Sequence, residues 1–75
     1  MYTFKFIYTD KTYQSYNNIV KVEYSTYHMP VTLTGEEVFS HDYPLSYDLH
    51  LFSENKNYKV SHEGLKSIEV EKEKS

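Results

Sequence analysis

Residues 2–8, Tyr-Thr-Phe-Lys-Phe-Ile-Tyr, alternate between large apolar and polar side chains. Successive side chains of a strand point to opposite faces, so period-two alternation marks a strand with one buried face. Tyr2, Phe4, Phe6 and Tyr8 make the core face, and Thr3, Lys5 and Thr9 the outer one. Ile7 breaks the pattern with one apolar group on the polar side. The same arrangement returns later. Tyr47, Leu49 and Leu51 alternate with Asp48 and His50, and Phe52 breaks the alternation where Ile7 did.

Each of these stretches opens a longer similar unit. After the first, Thr9-Asp10-Lys11 predicts a hairpin turn, with a return strand from Thr12 to Tyr16. Asn17-Asn18 predicts a second turn, because Asn tolerates positive φ, and Ile19 to Tyr24 a third strand. After the second, Glu54-Asn55-Lys56 is the turn, 57–61 the return strand, Glu63-Gly64 the next turn and Leu65 to Val70 the last strand. The units align at an offset of 45 through the first hairpin, where Tyr2/Tyr47, Lys11/Lys56 and Tyr13/Tyr58 are identical. One inserted residue moves the offset to 46 and aligns Val22/Ile68 and Glu23/Glu69. The predicted organisation is one domain, 1–75, with β-meander units at 2–24 and 47–70, a connecting segment 25–46 and a frayed charged tail 71–75. Two units are too few for a solenoid. The apolar breaks at Ile7 and Phe52 suggest a bulge or strong curvature, so the halves share one core. The expected fold is all-β, or mainly β with one short helical turn: a small curved antiparallel sheet, barrel-like or sandwich-like.

In the connecting segment, 28–33 suits an edge strand with Pro30 at its start, where a missing N–H is tolerated. Thr34-Gly35-Glu36-Glu37 fits a capping box opening a short helix that Pro44 limits. A tight turn into a strand at 37–41 fits the same residues, and both readings stand at this point.

Seventy-five residues make a small core, and no cysteine is present to staple it. Nine Tyr and four Phe supply bulk instead. No basic-then-apolar leader and no apolar run of membrane length occur, so no membrane association and a cytoplasmic location are expected. Arg and Ala are absent and Gly and Pro number two each, all types with GC-rich codons, whereas Lys and Tyr, with AT-rich codons, are abundant; this codon bias points to a low-GC bacterium, its phage or a mobile element.

Function classes narrow by exclusion. Net charge is −3 with eight Lys and no Arg, against the basic, Arg-bearing surface of a duplex binder. His28, His41, His50 and His62 lack metal-ligand spacing, and Glu36-Glu37 complements a helix start better than it makes an acid–base pair. No nucleophile elbow or Gly-rich phosphate loop is present. No catalytic residue, metal or cofactor is expected. The remaining signal is aromatic: Tyr24, Tyr27, Tyr43 and Tyr47 cluster in sequence with His28, Met29 and Phe39, the composition of a protein interface as well as of an aliphatic-poor core. The reading is a non-catalytic protein–protein interaction module whose partner is protein, either another chain or a second copy in a homodimer. Two further readings stand beside it. One is a single-stranded nucleic-acid binder stacking bases on Tyr13 and Tyr16 beside Lys5, Lys11 and Lys21; acidic charge disfavours nucleic acid as a partner. The other is a phage inhibitor that docks on a host protein.

Overall fold

A computed structural model describes residues 1–74. The chain runs β1 (Tyr2–Tyr8), β2 (Tyr13–Ile19), β3 (Lys21–Ser25), β4 (Pro30–Thr34), α1 (Glu36–Ser40), β5 (Leu49–Phe52), β6 (Asn57–Val60) and β7 (Leu65–Lys72). The fold is mainly β: two antiparallel sheets, one ordered β2-β1-β7 and the other β4-β3-β5-β6, with one short helix and no closed barrel.

The two sequence units are interlocked. Each begins with a hairpin, β1–β2 in one sheet and β5–β6 in the other. The third strand of each crosses over to pair with the first strand of the other unit: β3 lies against β5 and β7 against β1. The registers correspond. Phe6 faces Ile68 as Leu51 faces Val22, and Lys5 faces Glu69 as His50 faces Glu23. These are the positions matched by the offsets of 45 and 46.

The alternation of β1 packs as its pattern requires. Phe4 and Phe6 are fully buried, with Ile19, Val22, Val38, Leu49 and Leu51 close around them and Leu33, Val60 and Tyr43 completing the core. Each such aliphatic or Phe side chain contributes roughly 1.5–3 kcal/mol on leaving water. Rings knit the layers together: Phe4 meets Tyr43 edge-on at 5.3 Å, Phe6 meets Tyr16 at 5.7 Å, and Tyr16 leans on Tyr58 at 4.9 Å.

Three local expectations are corrected. Asn17-Asn18 is not a turn but part of β2. The β1–β2 register slips there, with Phe4 opposite Tyr16 but Tyr2 opposite Ile19, and Asn18 takes φ 62°. The positive φ expected of Asn is present, and it makes a bulge. The third strand therefore starts at Lys21 after the chain crosses sheets at Val20, whose N–H donates to Phe52 O at 2.8 Å. The helical reading of 36–40 holds, but its capping box does not form. Thr34 is the last residue of β4, and Gly35 takes the N-cap position with no side-chain cap bond. Gly35 sits at φ 61°, ψ −140°, a region open essentially to glycine alone, so the chain can turn there directly from strand into helix. Finally, the tail is a strand through Lys72, with Glu71 opposite Thr3 and Lys72 opposite Tyr2. Glu73 continues the tie, accepting from Asn18 N–H at 2.6 Å and from Thr3 Oγ1 at 2.9 Å. Glu69 and Glu71 alternate with Ile68 and Val70 and so face away from the core, which is why they do not end the strand. Ser75 lies outside the described residues.

Candidate interaction surface

The seven residues singled out by composition divide into four environments. Tyr43 belongs to the core: its ring is buried against Phe4, and its hydroxyl donates to the Val38 carbonyl at 2.7 Å. Burial pushes its phenol far above the ordinary range. Phe39 lies on the exposed side of α1, stacked on Tyr2 at 6.1 Å with Lys72 Nζ 4.8 Å from its ring centre. Lys72 also reaches Glu36 at 3.3 Å, so this patch ties the helix to the end of β7.

Tyr24 and Tyr47 form a half-buried layer at one end of the sandwich. Their rings stack at 6.3 Å, and the Tyr24 hydroxyl and His41 Nε2 are hydrogen-bonded at 2.8 Å. Burial, and secondarily Tyr47, raises the Tyr24 phenol pKa. His41 in turn meets Tyr43 edge-on at 4.9 Å, so the layer rests on the core.

Tyr27, His28 and Met29 form the tip of the β3–β4 hairpin, and they are exposed. Tyr27 is 94% exposed and Met29 60%. The loop beneath them is pinned by one residue. The Thr26 hydroxyl accepts from His28 N–H at 3.2 Å and Met29 N–H at 3.3 Å and lies 3.2 Å from Met29 O, while Thr26 N–H donates to Met29 O at 3.0 Å. The hydroxyl takes the turn's own donors, as Ser and Thr do in short loops. An open recess of about 580 Å³ lies beside the tip, lined by Ser25, Thr26, Tyr27, Ser46, Tyr47 and His62.

One pair in this region went unread in the sequence. Asp48 Oδ1 accepts from His62 Nδ1 at 2.6 Å and from His62 N–H at 2.9 Å. A carboxylate can only accept, so the proton sits on Nδ1. The two hydrogen bonds hold the Asp48 carboxyl below its ordinary value, the side-chain bond being the larger cause. The pair spans 14 residues across the β5–β6 hairpin, and neither residue's neighbours point to the other.

The nucleic-acid platform does not assemble. Tyr13 lies on the outer face under Lys5 Nζ, 4.5 Å from its ring centre, whereas Tyr16 points into the sandwich. Residues three apart in a strand face opposite sides. Lys21 is on the other sheet, over Phe52 at 4.3 Å.

Among the described residues no group of three or more His, Cys, Asp or Glu is arranged to hold a metal ion, and no helix is long and apolar enough to cross a membrane. Comparison of the chain with protein families, with curated proteins and with solved structures finds no match in any of the three.

Proposed function

We propose that the chain is a small non-catalytic protein-binding module whose contact surface is the β3–β4 tip and the recess beside it. The observation that carries this reading is Tyr27, an aromatic ring 94% exposed on a loop that Thr26 holds rigid. Such a ring contributes no packing to its own fold. Displayed on a pre-ordered turn, it loses little conformational freedom on binding, and Tyr with a neighbouring Met is the composition of interface hot spots. Of the titratable side chains nearby, Asp48 is bonded to His62 and Tyr24 to His41, in keeping with binding rather than chemistry. The partner is a protein with an apolar side chain to place between Tyr27 and Tyr47.

The test is site-directed photo-cross-linking in cells of the source organism. A photoreactive phenylalanine analogue replaces Tyr27 in one variant and Lys66, on the last strand, in another. One dominant adduct from position 27, competed away by unlabelled protein and absent from position 66, is expected. The same adduct pattern from both positions overturns the reading.

A further inference from the structure

The two sheets present four open edges, at β2, β7, β4 and β6. An exposed edge offers unpaired N–H and C=O groups to any extended chain, and most proteins blunt such edges. Three of these are blunted. β4 begins with Pro30, which has no N–H. β6 is four residues long and carries Lys59. β7 carries Lys66, Glu69, Glu71 and Lys72 and is tied to α1 by the Lys72–Glu36 ion pair.

β2 is different. Its seven residues, Tyr-Gln-Ser-Tyr-Asn-Asn-Ile, include no charge and no proline. Tyr13, Gln14 and Ser15 are all exposed. The free backbone groups can be identified. Tyr8 N–H donates to Thr12 O at 2.9 Å, which makes Tyr8–Thr12 a hydrogen-bonded pair. Bonded and non-bonded pairs alternate along an antiparallel ladder, so Phe6–Gln14 and Phe4–Tyr16 are bonded and Ile7–Tyr13 and Lys5–Ser15 are not. The N–H and C=O of Tyr13 and Ser15 therefore point away from β1, toward the open edge. The bulge at Asn17-Asn18 ends the run.

We propose that β2 is a self-association edge, pairing antiparallel with β2 of a second copy to make one continuous six-stranded sheet. The occupant is argued from charge. A two-fold axis through Ser15 sets Tyr13 against Asn17 of the second copy and Gln14 against Tyr16, with no like charges opposed. The same operation on β7 gathers Glu69 and Glu71 of both copies on one face, which like-charge repulsion opposes. A chain of net charge −3 thus has one edge free of both charge and proline on which to meet itself. This inference does not rest on the Tyr27 surface, which lies on another hairpin.

The experiment is light-scattering mass on the full chain from micromolar to millimolar concentration, with amide hydrogen exchange at both ends of the range. The monomer mass is 9.0 kDa. Mass approaching twice that value, persisting at high salt, with Tyr13 and Ser15 amides gaining protection as concentration rises, is expected. Ser15→Glu is the first variant. In the monomer its carboxylate faces Lys5 across the strand pair, so the fold is retained, while at the dimer axis two carboxylates meet. Its dissociation constant should rise by about tenfold or more. Ser15→Pro, which removes the outward N–H, should abolish the dimer. A wild-type mass of one chain at every concentration overturns the proposal. So does a dimer indifferent to both substitutions, or protection of Tyr13 and Ser15 that appears only when a different protein is added.

Discussion

Single side chains in this molecule carry unequal weight. Phe6 and Leu51 occupy matched places in the two units, each fully buried and each opposite a β-branched residue of the other unit. Phe6→Ala should cost about 3–5 kcal/mol and Leu51→Ala about 2–5 kcal/mol, read by denaturant unfolding. Equal stability with wild type at either site would mean that the buried face is misassigned. Asp48 offers a test through pH. Its carboxyl is held low in the fold by His62, so it contributes stability above the ordinary carboxylate range, and that contribution disappears as pH falls through the depressed folded-state pKa. The pair is exposed and solvent-screened, so the effect is small. Asp48→Asn should melt below wild type at neutral pH, with the difference closing at pH values under that of a free carboxylate; a constant difference would show that the carboxylate's hydrogen bonds from His62 are not its origin. At this scale the sequence was partly legible. The alternation named Phe4, Phe6, Leu49 and Leu51 as core, but Tyr43 could not be told from its surface neighbours. What buries Tyr43 is the Val38 carbonyl within reach of its hydroxyl, a product of how α1 meets the segment after it.

Among the elements, strands were easier to read than the joints between them. Asn17-Asn18 shows why: a residue with φ above zero serves a turn or a bulge equally well, and only the partner strand decides which. Tyr13/Tyr58 shows the same limit from the other side. The β1–β2 hairpin places Phe6 opposite Gln14, whereas β5–β6 places Leu51 opposite Tyr58, so the two identical tyrosines end on opposite faces. The surface of Tyr24, Tyr27 and Tyr47 was visible as composition, while its split into a half-buried layer and a displayed tip depends on Thr26 and His41. Gly35 is the joint with the clearest energetic test. A Cβ there meets no atom within 4 Å, so any penalty is conformational alone. Gly35→Ala should lower stability by roughly 1–3 kcal/mol without altering core packing, read as a lower denaturant midpoint with an unchanged slope. A neutral substitution would show that the strand-to-helix joint relaxes to another conformation.

At the scale of the whole molecule the exchange of third strands is the governing feature. Each sheet is completed by a strand from the other half of the chain, so neither half holds a finished sheet of its own. Unfolding should therefore be a single transition, and exchange-protected amides in β1 and in β5 should report the same global opening free energy. A lower value for one of them would mean that the halves come apart separately. No period or turn signal encodes this exchange, because it is a choice between partners far apart in the chain, Val22 with Leu51 in one sheet and Tyr2 with Lys72 in the other. That pairing also governs how the protein comes into being. During synthesis the first strand leaves the ribosome with its hairpin partner close behind, but its other neighbour, β7, begins only at Leu65. Until β7 emerges Phe4 and Phe6 lack their cross-strand neighbours Val70 and Ile68, and the nascent chain carries an unsatisfied edge on β1. A pause in synthesis before β7 emerges leaves that edge, and the apolar face beside it, open to other chains.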